Sequence, residues 1–187
     1  MQLAGSARRR ADSVKDIDIV AVSRRPTTLA RSLAELELIE SVGVTSKTGA
    51  RAHTHSGINV DLRIAAPRQL GNLLQHFTGS GAHNAALREQ AVRAGLHVSE
   101  YGILDDASGK SRACASEQEV YAALGLQYIE PELRENRGEL EAARAHALPQ
   151  LIELEDIRGD LHSHTLASDG HASIEQMALA ARERGYE

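Results

Sequence analysis

Apolar and polar positions alternate with a period of two in two stretches of the first third of the chain. In Asp16-Ile17-Asp18-Ile19-Val20 the isoleucines take one face of a strand and the aspartates the other. In residues 58–65, Ile58, Val60, Leu62 and Ile64 face one way, and Asn59, Asp61 and Arg63 face the other. That run and residues 50–56 read as a hairpin about Gly57. Elsewhere the period is helical. Leu29, Leu33, Leu36 and Ile39 predict a helix opened by Arg25-Pro26 and closed near Gly43. Pro67 opens a short helix through Gln75, and His76 to Ser80 reads as a turn. A further helix runs from about Ala82 to Ala94, with Gly95 as its stop. Residues 96–105 look like strand. Ser116-Glu117-Gln118-Glu119 is a capping box for a helix ending at Gly125. After a bend at Pro131 to Glu135, a helix over 138–147 ends before Pro149. Residues 150–159 read as a linker. Asp160 to His164 is strand-like, and Ser173 to Arg184 is an amphipathic helix with its own S-x-x-Q box. Strands and helices mix throughout, so the class is α/β or α+β.

The polar positions of the first strand change the picture from packing to chemistry. Asp16 and Asp18 share a face and repel each other unless a cation lies between them. Hard carboxylate oxygens suit Mg²⁺, which takes one or two carboxylates together with substrate phosphates. Ahead of them stands Gly5-Ser6-Ala7-Arg8-Arg9-Arg10. Gly5 and Ser6 offer a closely approaching backbone and a hydroxyl; Arg8 and Arg9 offer planar forks for phosphate oxygens. The ensemble suits a metal-bound polyphosphate. Asp61 is a third carboxylate on a polar strand face, and it joins the other two if its strand lies beside the first. The plainer alternative for it is a surface pair with Arg63.

Composition narrows the partners. The 187 residues suit one or two domains, and 42% hydrophobic content is enough for a core. No apolar run is long enough to span a bilayer, and no signal peptide opens the chain, so no membrane partner is expected. The lone Cys114 excludes an internal disulfide and fits a reducing cytoplasm. The net charge of −5 argues against nucleic acid until it is divided by segment. Residues 1–63 carry ten Lys/Arg against seven Asp/Glu, whereas residues 152–187 carry three against eight. The front is therefore basic and the tail acidic. With only 3% aromatics, a single-strand binder built on stacking platforms is disfavoured.

Four ordered pieces carry a family likeness: G-S-A-R-R with D-I-D; V-D-L-R; H-F-T-G-S-x-x-H-N-x-x-x-R; and G-D-L-H-S-H-T-x-x-S-D-G. With Tyr128 to Glu135 as a linker-like run, the chain resembles bacterial family X DNA polymerases that carry a C-terminal PHP (polymerase and histidinol phosphatase) domain. The resemblance implies a nucleotidyltransferase palm over 1–75, a small mixed α/β thumb over 76–149, a linker over 150–159, and the start of a PHP β/α barrel over 160–187. Both ends read as truncated, so the chain reads as a piece of a longer protein, and a monomer is expected.

By motif position, Asp16, Asp18 and Asp61 would hold Mg²⁺ for in-line nucleotidyl transfer. Gly5, Ser6 and Arg9 would grip the triphosphate. Phe77, Thr78 and Gly79 would frame the nucleotide, with Gly79–Ser80 a strained or cis peptide. Asn84 and Arg88 would face the nascent base pair and the template strand, testing pair shape through the minor groove. His162, His164 and Asp169 resemble the first ligands of a PHP cluster, whose N and O donors suit Zn²⁺ or Mn²⁺. Arg10 and Lys15 stand where relatives can have Gly, and His76 where some have Tyr. His53, His55, His83, His97 and His171 are expected to be structural or solvated.

The implied activity is short-gap filling in DNA repair, with gapped or primed DNA and deoxynucleoside triphosphates as partners. The longer protein would add a phosphoesterase or 3′–5′ exonuclease, while this piece alone is expected to hydrolyse nothing. The alternatives are a metal-dependent exonuclease as the main activity, a nucleotidyltransferase acting on a small molecule or tRNA, and a non-catalytic DNA-binding module. The last leaves three carboxylates on one face unexplained.

Overall fold

The alternation in the first third of the chain builds one mixed sheet. A computed structural model describes residues 1–186. Its first strands are β1 (Gln2–Leu3) and β2 (Asp16–Val22), joined through the one-turn helix α1 (Gly5–Arg8). Helix α2 (Pro26–Ser32) leads to β3 (Ile39–Ser46), β4 (Gly49–Thr54) and β5 (Asn59–Ala65). The strand order is β1-β2-β5-β4-β3, with β2 and β5 parallel and the other neighbours antiparallel.

One face of this sheet is apolar along its length. Ala21, Val60, Leu62 and Ile64 pack there with Ala30 and Leu33 from the α2 region. The opposite face changes character along the strands. At the start it shows Asp16, Asp18 and Asp61; at the end Val20 and Ala65 are buried against Leu73 and Leu74 of α3 (Leu70–Thr78). That polarity leaves one end of the face open.

Helix α4 (Gly81–Arg93) follows α3 after a cis Gly79–Ser80 peptide. The three-stranded sheet β6 (Leu96–Ser99), β7 (Gly102–Asp105) and β8 (Lys110–Arg112) comes next, then α5 (Glu117–Ala123) and α6 (Glu139–Arg144). Helix α3 is stitched to the start of α5. Gly71 donates its N–H to the Cys114 carbonyl, and Asn72 Oδ1 accepts from Cys114 N. A Cβ at Gly71 would lie 2.1 Å from the Ser116 carbonyl oxygen, so only glycine permits this approach.

Residues 1–148 form one compact unit and residues 149–187 a second. The second holds helix α7 (Ile174–Glu183), capped by reciprocal Ser173 and Gln176 bonds as its S-x-x-Q box predicts. No helix among the described residues is long and apolar enough to cross a membrane.

Several expected elements fall differently. The helix expected to reach Gly43 stops at Ser32, with a 3₁₀ turn to Glu35, and Ile39 opens a strand instead. The helical spacing of Leu36 and Ile39 is overridden by pairing with β4, where Ile39 stands opposite Thr54. His76, Phe77 and Thr78 complete α3 and are not a turn; the break comes at Gly79, whose φ is +70°. The strand expected over 96–105 is a hairpin, β6 and β7, to which β8 adds. Asp160 to His164 forms no strand. Its alternation is right, but among the described residues of its unit no strand offers a ladder to join, and an unpaired strand does not hold.

Candidate active site

The parallel register sets the site. Asp18 stands beside Asp61 across the β2–β5 pair, and Asp16 beside Asn59. Laterally paired residues point the same way, so all three carboxylates lie on one face. Burial, then the charges of Asp16 and Asp61, push the Asp18 carboxyl above its usual range. The Gly5 turn closes over the same spot: a Cβ at Gly5 would meet Asp18 Oδ2 at 2.0 Å, and Gly5 takes φ +60°. Ala4 N donates to the Asp18 carbonyl, which locks α1 to β2.

The three carboxylates do not close into a nest. Asp61 Oδ2 accepts from Arg51 Nε at 3.2 Å and from Arg63 Nη2 at 3.1 Å. Its Oδ1 lies 2.9 Å from Arg63 Nε, at an angle that makes no hydrogen bond, and both atoms are buried without a partner. Accordingly, among the described residues no group of three His, Cys, Asp or Glu side chains is arranged to hold a metal. The Asp61–Arg63 pair is thus present, on the same face as the other two carboxylates. An all-oxygen donor set, a carboxylate destabilised by its like-charged neighbours and an orphaned Asp61 Oδ1 are what a hard divalent cation would relieve. The residues fit Mg²⁺ in kind once Asp61 exchanges its arginines for it.

The arginines of the first turn divide their work. Arg8 is not free for a ligand: it is bidentate to Glu117 at 2.6 and 3.0 Å and donates to Thr78 Oγ1. Glu117 also takes Arg134 Nη1 at 2.5 Å, and Arg134 is fully buried over the Tyr121 and Tyr128 rings. Burial would raise the Glu117 carboxyl, but the bonds from Arg8 and the Arg134 charge hold it below its usual range. Arg9 donates to Glu135 and to the Thr78 carbonyl, and its Nη1 would lie 3.3 Å from a Cβ on Gly79. Arg10 adopts φ +53°, the left-handed region that favours Gly, and pairs with Glu132. Lys15 is exposed.

Of the α3–α4 residues, Phe77 is half-buried with the Arg63 guanidinium 5.0 Å above its ring. Thr78 is fully buried and its hydroxyl is taken by Arg8, so only its backbone borders the turn. Asn84, expected to face the nascent base pair, is buried. It accepts from Gln75 and donates to the His76 carbonyl, which satisfies a helix-end acceptor that burial would otherwise orphan. Arg88 is exposed and meets His76 Nδ1 at 3.0 Å. His83 is a core residue between Glu139 and the Tyr121 hydroxyl; His53 and His97 pair with Asn59 and Asp106.

The pattern reading missed the Arg8–Glu117–Arg134 network. Its only trace in the sequence is the Tyr128 to Glu135 run. In the second unit His162, His164 and Asp169 are exposed and hydrogen-bonded in a chain, His162 to His164 and His164 to Asp169.

This arrangement can be placed among known proteins. The DNA polymerase beta thumb family matches residues 73–135, which run from α3 through the Arg134 network. Over 186 residues, 98% of this chain, the sequence is 38% identical to the "DNA polymerase/3'-5' exonuclease PolX" of Bacillus subtilis (strain 168). The chain is similar to this bacterial-type family X polymerase. It spans 32% of the length of that Bacillus protein, so the likeness reaches a third of a larger family X chain. The mixed α/β architecture, with a sheet and flanking helices, agrees with a family X palm and thumb.

Proposed function

We propose that this chain supplies the palm and thumb for template-directed DNA synthesis from deoxynucleoside triphosphates on gapped or primed DNA. The observation that carries the reading is the parallel β2–β5 register, which sets Asp16, Asp18 and Asp61 on one face under the Gly5-Ser6 turn. The three carboxylates would hold Mg²⁺, which when bound supplies charge stabilisation and activates a primer hydroxyl. Gly5 lets the backbone approach a triphosphate, and Ser6 offers a hydroxyl beside it. Arg9, fixed by Glu135 and the Thr78 carbonyl, presents its guanidinium edge beside Gly79. Phe77 and Gly79 border the nucleotide, and Arg88 meets the template strand. Asn84 acts at one remove, by holding His76. Short-gap repair in the cytoplasm is the setting this reading favours.

The test is primer extension on gapped DNA with Mg²⁺, with the chain and with a longer natural protein containing it. Incorporation that requires template and Mg²⁺, and that Asp18→Asn abolishes, supports the reading. Template-independent transfer points to the small-molecule or tRNA alternative, and DNA binding without transfer in the longer protein points to a binding module.

The second unit would serve hydrolysis only as part of a larger site. His162, His164 and Asp169 offer Zn²⁺ or Mn²⁺ ligands, but they are exposed, bond one another, and have no strand beneath them. A phosphoesterase or 3′–5′ exonuclease is therefore proposed for a longer protein and not for this chain.

A further inference from the structure

Both polar residues of α4 that the resemblance directs at substrate converge on one residue of α3, His76. Asn84 Nδ2 donates to the His76 carbonyl at 2.7 Å, and Arg88 Nη2 lies 3.0 Å from His76 Nδ1. The first contact fixes the backbone of His76; the second joins its ring to Arg88. A guanidinium has five N–H donors and no acceptor. The 3.0 Å contact therefore needs a lone pair on His76 Nδ1, which makes the ring neutral with its proton on Nε2. A second proton would set donor against donor and cation against cation.

We propose that His76 is a positioning residue for Arg88: as a neutral acceptor it holds the guanidinium against α3, and a proton on the ring releases it. This deepens the polymerase reading, because Arg88 is the residue placed there at the template strand. Nucleotide insertion then depends on an unprotonated His76. The charged groups acting on the ring are Glu100 from the β6–β7 turn, Arg88 from α4 and Arg63 from β5. Phe77 packs edge-on, 5.1 Å between centroids. Burial, reinforced by the two arginines and opposed by Glu100, keeps the ring's pKa below its ordinary 6.5. The contact is whole at neutral pH and is lost as the pH falls through that lowered value.

Two measurements test this. In the ¹⁵N-histidine-labelled chain, with His76 assigned by loss of its signals in His76→Asn, long-range correlations report the tautomer. A bare Nδ1 that protonates only below pH 6.5 is expected; an Nδ1–H tautomer or a charged ring at neutral pH overturns the proposal. Single-nucleotide insertion on gapped DNA is the second. His76→Phe should lower insertion about tenfold at neutral pH, and the loss should vanish in an Arg88→Ala background. His76→Asn, whose Oδ1 accepts and does not titrate, should keep insertion and remove its acid loss. Additive losses in the double variant overturn the proposal. If no variant, wild type included, inserts a nucleotide, the polymerase reading fails and the tautomer alone decides the role of His76.

Discussion

Two groups of residues in this chain match metal-binding motifs, and their scaffolds differ. Asp16, Asp18 and Asp61 sit on paired central strands whose register fixes which way each side chain points. His162, His164 and Asp169 sit on irregular backbone, exposed, with hydrogen bonds only among themselves and the local turn. Both motifs are equally readable as letters. Direction comes from the neighbours: a ladder on both sides makes a strand's alternation into geometry, and without one the same alternation only describes possible faces.

The strongest way to break the contrast is at Asp61. If the sheet face is catalytic, Asp61→Asn in a primer-extending protein should lower the rate on the order of 10³-fold or more while the chain still folds. Full activity in that variant would leave Asp61 as a partner of Arg51 and Arg63 alone.

A second test asks whether the scaffold around the first site depends on its buried ions. Glu117→Ala leaves Arg134 buried without its counter-charge. It should destabilise the 1–148 unit by about 3–5 kcal/mol in urea unfolding, because a broken buried pair costs far more than an intact one contributes. A loss below about 1 kcal/mol would mean that Arg8 and Arg134 find water or other partners. Next comes Gly71→Ala. Its methyl has backbone, not a mobile side chain, 2.1 Å away, so α3 must shift from the start of α5. A cost of about 1–3 kcal/mol is expected, of the size seen for overpacking.

A smaller effect should appear with pH. Burial outweighs the Glu139 contact and lowers the His83 pKa below its ordinary 6.5. The unfolded chain then takes up the proton first, so stability is full above that value and falls as the pH drops below it. The slope contributed by one such group is at most about 1.4 kcal/mol per pH unit. His83→Gln should remove this part of the dependence even though it lowers overall stability; an unchanged slope would place the acid sensitivity elsewhere. The smallest effect belongs to the second unit. His162→Ala with His164→Ala should change the stability of the chain by less than about 0.5 kcal/mol. The unaltered chain should show no Mn²⁺- or Zn²⁺-dependent hydrolysis of single-stranded or 3′-phosphorylated oligonucleotides. Turnover that the double variant abolishes would mean the cluster is complete without a sheet.

The sheet face was legible because the first half of β2 and most of β5 alternate, and because Asp61 falls on the polar parity of its strand. Strand β3 was not, since Leu29, Leu33, Leu36 and Ile39 keep a helical spacing that runs past the end of the real helix and into the strand. The extension of α3 through Thr78 was hidden by Gly79, which marks the break but not the side on which His76 to Thr78 fall. Asn84 and Arg88 stand four apart on one helix face, yet the short Asn84 amide bonds the preceding helix while the longer Arg88 reaches solvent. The Arg8–Glu117–Arg134 network could not be read at all. Charged side chains are solvated by default, and nothing in their spacing shows that residues more than a hundred positions apart will be desolvated together.

The parallel pairing of β2 with β5 also bears on how the chain reaches its fold. An antiparallel hairpin such as β4–β5 can close early, since little chain separates its strands. The β2–β5 ladder must wait until the crossover through α2, β3 and β4 has brought Asn59–Ala65 back beside Asp16–Val22. Loop-closure entropy opposes that step before any ladder bond offsets it. The face that gathers Asp16, Asp18 and Asp61 should therefore be among the last parts of the sheet to form during refolding. In pulsed amide exchange, protection at Ile17 and Ile19 should trail protection at Ala50 and Ala52.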